Sequence, residues 1–265
     1  MAQSNIDPSK IGENEKVGRY ADIRGFKMYY EIYGTGEPLL FIHGNNGSIK
    51  VFTDQVPDFS KKYKVIIADS RAQGKSVDDS DSLSHEIMAD DLNAFLDYLK
   101  IDSCYVVGVS DGGINGLLLA MRHPKKVKKL AITGANLWPD TTAIKSWLYK
   151  RLVRKYDSLQ RLPTTPKLKN AIKIFRLMPE EPHIKVSDLK KISCPALVIG
   201  GDHDIVLPRH TALIYESIPK SYLWIIPNSG HSPHRVYKEE FNKTVMDFFK
   251  KPFRKRTNRL ADFFN

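Results

Sequence analysis

Short apolar runs alternate with helical stretches along most of the chain, and this alternation restricts the fold more than any other feature of the sequence. Each run is too short for a helix and ends in a glycine, aspartate or serine turn signal. The runs are PLLFIHG (38–44), KVIIADS (64–70), CYVVGVS (104–110), KLAITG (129–134), PALVIGGD (195–202) and YLWIIPNSG (222–230). They predict the buried strands of a mostly parallel sheet.

The stretches between the runs have the periodicity of amphipathic helices. Residues 84–100 place apolar side chains on one face and acidic side chains opposite, and residues 236–251 form the last such helix. Residues 111–124 start directly after a strand and stop at Pro124. This alternation implies right-handed crossovers and a sheet covered by helices on both faces. Two earlier strands, joined at Gly25, indicate a hairpin.

One segment, residues 137–190, interrupts the alternation. It contains helical stretches separated by prolines and has no intervening strand. An insertion after the carboxyl end of a strand in an open α/β sheet lies over the crevice where ligands bind. A chain of 265 residues is near the upper limit for one hydrophobic core. We therefore expect a single domain, 1–265, with 137–190 as an inserted helical cap.

The strongest functional signal is the sequence Gly108-Val109-Ser110-Asp111-Gly112. It matches the G-x-S-x-G nucleophile elbow and lies, as that motif requires, between a strand and a helix. A serine at such a sharp turn has a strained backbone, and the flanking glycines remove Cβ atoms that would clash. We predict Ser110 as a nucleophile. The backbone N–H of Asp111, at a helix N-terminus, is predicted to stabilise a developing oxyanion.

A serine alcohol needs a base, and this motif is followed along the chain first by an acid and then by a histidine. Asp204 and His231 each follow an apolar strand in that order, and we predict them as the acid and the base. Asp202 is the alternative acid, although it lies closer to the end of its strand. His234 is the alternative base, more typical of a loop position, and we expect His203 to be solvated.

The second oxyanion donor is expected from a loop after an earlier strand, and FIHGNNGS (41–48) is the candidate. Its glycines permit close approach of the backbone to a substrate, and we predict the N–H of Asn45 as the donor. A histidine at position 43 is more typical of a side chain that packs beneath the loop and holds it by hydrogen bonds. We therefore leave His43 out of the catalytic set.

Five motifs together resemble those of the α/β-hydrolase superfamily, in its capped lipase, esterase and peroxidase-like group. The resemblance covers residues 18–249 and implies an eight-stranded, mostly parallel sheet with helices on both faces. It also implies the triad Ser110–Asp204–His231, with no cofactor and no metal. The motifs are HGNNGS, ADSRAQGKS, GVSDGG, GGDHDIVLP and GHSPH.

The chain departs from the family pattern at two places. Ala72 stands where the family often has a glycine in D-x-R-G-x-G-x-S, and we expect little effect because that loop is structural. Asn45 after His-Gly resembles the halide-binding asparagine of haloalkane dehalogenases. Those enzymes use an aspartate nucleophile, whereas Ser110 occupies that position here, which argues against dehalogenation.

The predicted reaction is acyl transfer in two steps on a small-molecule ester or a related acyl compound, through an acyl-enzyme. Because fold and triad do not determine the reaction, carbon–carbon bond hydrolysis and perhydrolysis remain alternatives on the same residues. A ligand-sensing protein with slow turnover is a further alternative. The sequence does not determine the substrate or the oligomeric state.

The formal net charge is +11, which attracts acidic partners but does not determine a fold. We expect the cations of the predicted cap to form solvated helix faces, with selection of an anionic substrate as the alternative. We expect six apolar side chains of the cap to turn inward. The cations are Lys145, Lys150, Arg151, Arg154, Lys155, Lys167, Lys169, Lys173 and Arg176, and the apolar set is Trp147, Leu148, Leu152, Ile172, Ile174 and Phe175.

The remaining features are typical of a cytoplasmic protein. Cys104 and Cys194 lie beside apolar strands without disulfide or metal spacing, so we expect buried thiols. The polar start, 1–18, has no apolar leader and is expected to be frayed, as is the basic tail, 250–259. We find neither a nucleic-acid motif nor an apolar run long enough for membrane insertion.

Overall fold

The computed structural model describes residues 6–163 and 165–254, and within them eight strands form one sheet. All six apolar runs form strands, as predicted, and the two segments before them form the expected hairpin. The strands are β1 Arg19–Ile23, β2 Phe26–Tyr33, β3 Glu37–Ile42, β4 Tyr63–Ala68, β5 Cys104–Val109, β6 Val127–Thr133, β7 Ala196–Gly201 and β8 Ser221–Ile226.

The sheet has the strand order β1-β2-β4-β3-β5-β6-β7-β8. Strand β2 pairs antiparallel with both β1 and β4, and all other pairs are parallel. Arg24 and Gly25 join β1 to β2 with positive φ angles of 44° and 89°, the conformation of a two-residue hairpin turn. The carboxyl ends of the parallel strands meet at one edge, and the loops that leave this edge carry the candidate site.

Eight α-helices connect and cover these strands within the described residues. The three helices expected from periodicity around 84–100, 111–124 and 236–251 are present. The helices are α1 Val56–Phe59, α2 His85–Tyr98, α3 Asp111–Arg122, α4 Ser146–Gln160, α5 Pro166–Glu180, α6 Pro208–Ser217, α7 Pro233–Val236 and α8 Lys238–Lys250.

The core lies on both faces of the sheet. Alternate residues of β3 point to opposite faces, so Leu40 belongs to the hydrophobic cluster that includes side chains of α2, α3 and α6, while Leu39 belongs to the cluster that includes side chains of α1 and α8. Phe95 of α2 on one side and Phe241 of α8 on the other are among the large, fully buried side chains. This double coverage confirms the predicted α/β class and explains why the strands read as continuous apolar runs.

The N-terminal residues that the structure describes are held in place, so the expectation of a frayed start is wrong for residues 6–18. Ile11 is buried. The backbone N–H groups of Gly12 and Asn14 donate to the carboxylate of Glu31, at 3.0 and 3.2 Å. Glu31 has no exposed surface and also accepts the hydroxyls of its neighbours Tyr29 and Tyr33. Four donors offset the cost of burying this carboxylate.

Helices α4 and α5 lie in the segment 137–190 and pack against each other. Helix α5 also contacts the sheet domain through polar groups: the Asn170 amide donates to the carbonyl of Ala72 at 3.1 Å. Helix α4 joins the rest of the chain near its start, where Ile144 forms an isolated β-bridge with Val206. No helix within the described residues is both long and apolar enough to cross a bilayer.

Two expectations for this segment are wrong. Lys173 is not on a solvated face: it is buried, and its ammonium donates to Asp78 and to the carbonyl of Ser80. Trp147 does not turn inward, since 57% of its surface is exposed. At 100° per residue it lies on the same face of α4 as Arg151 and Arg154. The predicted basic tail continues past Arg254 and there lies outside the described residues.

Candidate active site

Ser110 lies at the turn between β5 and α3, with φ 56° and ψ −123°. A side chain with a Cβ rarely adopts such a backbone, which costs about 1–3 kcal/mol where it occurs. The flanking glycines are required by close packing, because a Cβ on Gly108 would lie 2.2 Å from the Gly112 carbonyl oxygen. A Cβ on Gly112 would lie 2.0 Å from the carbonyl oxygen of Ile42. The elbow therefore has the geometry predicted from its sequence.

His231 and Asp204 lie next to Ser110, although the three residues come from three separate loops. His231 Nε2 is 3.0 Å from Ser110 Oγ, and His231 Nδ1 is 2.6 Å from Asp204 Oδ1. Asp204 is fully buried, and its Oδ1 also accepts the backbone N–H of Val206 at 3.1 Å. The structure thus places the predicted nucleophile, base and acid in one continuous hydrogen-bonded chain.

The partners of the His231 ring determine its tautomer. A carboxylate at Asp204 accepts a hydrogen bond, so Nδ1 carries the proton. Nε2 is then free to accept the Ser110 hydroxyl, which is the arrangement in which histidine acts as a base towards serine. Burying a charged carboxylate costs free energy unless a partner compensates for the lost hydration, and the imidazole of His231 is that partner for Asp204.

The alternative acid, Asp202, holds the loop that carries the histidine. Its carboxylate accepts the backbone N–H groups of Asn228 and Ser229, each at 3.0 Å, and contacts the exposed ring of His203 at 2.7 Å. Hydrogen bonds from His203 and from the Asn228 backbone lower the pKa of Asp202 to about 2. Asp202 therefore remains ionised and fixes the loop, and the partners found for its carboxylate among the described residues are His203, Asn228 and Ser229 rather than His231.

Two further histidines, His234 and His43, lie buried near the site. His234 packs against Phe52 and Phe241, and burial lowers its pKa to about 4. His43 Nδ1 lies 2.8 Å from the carbonyl of Gly44, and its Nε2 accepts the backbone N–H of Ser70 at 2.9 Å. His43 therefore packs beneath the glycine-rich loop and holds it, as its sequence position indicated.

The two candidate oxyanion donors flank Ser110. A Cβ on Gly44 would lie 3.6 Å from Ser110 Oγ, so the loop after β3 runs directly beside the nucleophile. Among the described residues, the backbone N–H of Asn45 in this loop has no hydrogen-bond partner. Asp111 is the first residue of α3, where backbone N–H groups lack an intrahelical acceptor. Both N–H groups come from the positions that the sequence predicted.

A side-chain contact at this site was missed in the sequence analysis. The Asn45 amide donates to the Asp111 carboxylate at 2.9 Å and to the carbonyl of Ile174 in α5 at 3.0 Å. Both partners are acceptors, which determines the orientation of the amide. One side chain therefore joins the oxyanion loop, the elbow and the inserted segment. No local signal identifies this contact, because the three positions are far apart in the sequence.

Gly134 is a second feature of the site that was missed. It follows β6 with φ 66°, and a Cβ there would lie 2.6 Å from His231 Cε1. The absence of a side chain at position 134 therefore leaves room for the imidazole. The glycine that ends the run KLAITG was visible in the sequence, but only as a turn signal.

Comparison with protein families matches residues 37–171 to the family described as alpha/beta hydrolase fold. The human serine hydrolase BPHL is 29% identical over 247 residues, which cover 85% of this chain and 84% of that protein. The 2-hydroxymuconate semialdehyde hydrolase of a Pseudomonas species (strain CF600) is 25% identical over 265 residues, covering 88% of this chain and 94% of that protein.

Among solved structures, this chain is similar to MGS-M2, an alpha/beta hydrolase from a deep-sea metagenome library. The TM-score is 0.78 at 21% identity, with 90% of this chain and all of that chain covered. At this identity the likeness concerns the fold alone. The matched family, together with the strand order and the elbow, shows that the chain belongs to the α/β-hydrolase fold family and is a hydrolase.

Proposed function

We propose that this protein is a serine hydrolase that acts on a small-molecule ester or a related acyl compound through an acyl-enzyme. The observation that supports this proposal is a continuous series of hydrogen bonds. Ser110 Oγ lies 3.0 Å from Nε2 of His231, and Nδ1 of the same ring lies 2.6 Å from the buried Asp204 carboxylate. These distances lie within the range required for proton transfer between a nucleophile and its base.

In the first step, Ser110 Oγ attacks the carbonyl carbon and its proton moves to His231 Nε2. The carbonyl oxygen becomes an oxyanion, which the N–H groups of Asn45 and Asp111 stabilise. As this intermediate collapses, the bond to the leaving group breaks, and the alcohol departs with the proton from His231. Asp204 stabilises the imidazolium through Nδ1 in the interval between these two proton transfers.

In the second step, water replaces the alcohol. His231 takes a proton from the water molecule, the resulting hydroxide adds to the acyl carbon, and a second oxyanion forms in the same site. Its collapse breaks the bond to Ser110 Oγ, which recovers a proton from His231 and releases the acid. The proposed mechanism requires neither a metal nor a cofactor.

We further propose that residues 137–190 form a cap over this site within a single domain. The contact between the Asn45 amide and the Ile174 carbonyl supports this, because it places α5 beside the oxyanion loop. The cap then provides part of the wall around the substrate and limits the access of water to the acyl-enzyme.

Carbon–carbon bond hydrolysis is a second candidate, and a specific relative favours it. The similar Pseudomonas protein is named as a 2-hydroxymuconate semialdehyde hydrolase. Since the same triad serves both reactions, only substrates distinguish them. A series of p-nitrophenyl esters of increasing chain length and 2-hydroxymuconate semialdehyde should be compared at equal enzyme concentration, with hydrogen peroxide added in a parallel set to detect perhydrolysis.

The test of the proposal is labelling with a fluorophosphonate, followed by intact-mass measurement and peptide mapping. We expect one label at Ser110, and we expect Ser110→Ala to lose both the label and at least about 10⁴-fold in ester turnover. Ser232→Ala is the matched control, because Ser232 adjoins His231 but its hydroxyl caps nothing. It should label and turn over like the wild type.

Turnover by folded Ser110→Ala at the wild-type rate would refute the serine mechanism. Labelling at Ser110 without turnover of any tested substrate would favour the ligand-sensing alternative. Circular dichroism of each variant ensures that a loss of activity is not a loss of fold.

We also propose a cytoplasmic location. Cys104 and Cys194 are free and buried, and burial raises the pKa of the Cys104 thiol to about 12 and that of Cys194 to about 11. Thiols of this kind are unreactive and are typical of a reducing compartment.

A further inference from the structure

The positive charge of this protein is concentrated in a small part of the chain. Residues 145–176 contain ten lysines and arginines and a single acidic residue, Asp157, so they carry a net charge of +9. The other 233 residues contain 31 cations and 29 acids. Almost all of the net +11 therefore lies on α4, on α5 and on the connection between them.

Helix α4 has two faces of different character. Leu148, Leu152 and Tyr156 belong to the half-buried or buried side that faces the protein, and Leu152 packs near the start of the inserted segment. The opposite side is exposed along the whole helix. We call this exposed side the α4 surface; it consists of Trp147, Lys150, Arg151, Arg154, Lys155, Asp157 and Ser158, so it carries four cations and one acid.

Other cations of this region are already in use within the protein. Lys173 is bound to Asp78, and the Lys169 ammonium pairs with Asp81. Arg176 pairs with Glu180 and Glu181, and Lys145 donates to the carbonyl of His203. Four of the nine cap cations therefore have partners within the protein and are not free to bind a small anionic substrate.

The cations of the α4 surface remain available. Within residues 6–163 and 165–254, no acidic side chain pairs with Lys150, Arg151, Arg154 or Lys155. Four cations on two turns of a helix repel one another, which costs stability that a negatively charged partner would recover. Their position together on one outward face suits a partner with negative charge spread over an extended area.

Two exposed apolar side chains accompany these cations. Trp147 lies at the start of α4 and is 57% exposed, and Leu162, just after its end, is 50% exposed. Membrane-interface sites combine lysines and arginines, which contact the lipid phosphates, with tryptophan and leucine, which enter the acyl boundary, and both types of side chain are exposed here. A surface for single-stranded nucleic acid would instead need a groove with several stacking aromatics, and α4 is convex.

We propose that the α4 surface docks on an anionic lipid bilayer, with the helix parallel to the membrane plane and without crossing it. The cytoplasmic leaflet, which is rich in anionic phospholipid, is the bilayer of this chemistry in the proposed compartment. Trp147 enters the interfacial region, and the surrounding cations contact lipid phosphates. The rest of the protein, nearly neutral overall, stays in water.

The test is sedimentation with phosphatidylcholine vesicles that contain none or about 30% phosphatidylserine, at low and at high salt. We expect binding only to the anionic vesicles, weakened by salt. The triple variant Lys150→Gln, Arg151→Gln, Arg154→Gln should bind about a hundredfold more weakly. The matched control removes three exposed, scattered cations and the same total charge, as Lys62→Gln, Lys125→Gln, Lys220→Gln. It should bind within about threefold of the wild type.

Fluorescence supplies a second, independent measurement. Emission of Trp147 should shift to shorter wavelength with anionic vesicles, and Trp147→Phe should lose that shift while Trp138 and Trp224 remain. Circular dichroism and turnover of a water-soluble ester should be unchanged in all variants, which separates docking from folding and from catalysis. Equal loss of binding in both triple variants, binding to neutral vesicles, or binding to single-stranded DNA but not to vesicles would overturn the proposal.

Discussion

The Lys173 ammonium lies 2.9 Å from an Asp78 carboxylate oxygen, and both side chains are buried. This pair joins α5 to the loop after β4. Asp78 is also bound by Arg71 at 2.9 Å, and Arg71 in turn makes two hydrogen bonds to Asp91 of α2. A chain of alternating buried charges therefore connects the inserted segment to a helix that packs on the sheet.

Breaking this network of buried ion pairs should destabilise the protein. Lys173→Met removes one partner and leaves the Asp78 charge buried with Arg71 alone, at a cost of about 3 kcal/mol in unfolding free energy. Lys169→Met, one turn earlier in α5, removes an exposed pair with Asp81 and should lower the unfolding free energy far less, because solvent screens that pair. Urea unfolding of both variants measures the difference. Equal losses would show that burial does not distinguish the two pairs.

The two aspartates after β7 should differ in their effect on the reaction. Asp204→Asn removes the acceptor that keeps the proton on His231 Nδ1, and kcat should fall by about 10⁴-fold. Asp202→Asn weakens the bonds to the Asn228 and Ser229 backbone and should lower kcat by roughly tenfold at most, because Asp202 does not contact the imidazole. The comparison uses steady-state ester hydrolysis, and the reverse order would assign the acid to Asp202.

Gly134→Ala should impair catalysis without unfolding the protein. The new Cβ would overlap His231 Cε1, and a displacement of the imidazole by about 1 Å lowers kcat by about a hundredfold. Gly230→Ala is the matched control next to the same histidine, because nothing lies within 4 Å of its added Cβ. It should retain activity within about threefold of the wild type. Similar losses in both variants would contradict this role for Gly134.

Stability should decrease as the pH falls from about 6.5 to about 4. Burial lowers the pKa of His210 and His234 to about 4. Within this range the unfolded chain therefore binds protons that the native protein does not. Keeping these two histidines neutral contributes fully to stability above pH 6.5. Below that pH the contribution falls, and the total loss is at most about 3 kcal/mol of unfolding free energy per histidine.

His210 provides the variant that tests this pH dependence. Its Nε2 accepts the backbone N–H of Leu137 at 3.0 Å, and glutamine can also accept that bond without titrating. His210→Gln should therefore lose less stability between pH 7 and pH 5 than the wild type, whereas His183→Gln, at an exposed position, should follow the wild type. Denaturant unfolding at several pH values gives the comparison, and parallel curves for all three proteins would reject the assignment.

Local patterns determine most of the fold. Continuous apolar runs such as residues 104–110 predicted buried parallel strands because a strand covered on both faces has no exposed side. Pro124 and Gly25 marked a helix end and a hairpin for equally local reasons. The order at the start of the chain was not predicted, because its residues are mostly polar and its key contacts are made by the backbone. Gly12 and Asn14 bind Glu31 through backbone N–H groups, which nearly all residues carry, so their residue types do not reveal the contact.

In the candidate site, too, local sequence patterns predicted some features, whereas contacts between distant residues were not predicted. The order of Ser110, Asp204 and His231, each at the end of a strand, predicted which residues the structure brings together, because the carboxyl ends of parallel strands share one edge. The burial of Lys173 depends on Asp78, 95 positions away, so helical periodicity alone placed it on a solvated face. The Asn45 bridge to Ile174 likewise needs the packed structure.

The buried carboxylate of Glu31 limits how far this protein can be shortened. Two of its four donors come from residues 12 and 14. A truncation that begins at residue 19 would keep every strand of the sheet but leave the carboxylate half-satisfied and uncover apolar surface now covered by Ile11. A shortened fragment for expression should therefore begin before Ile11, and fusion partners belong upstream of that residue.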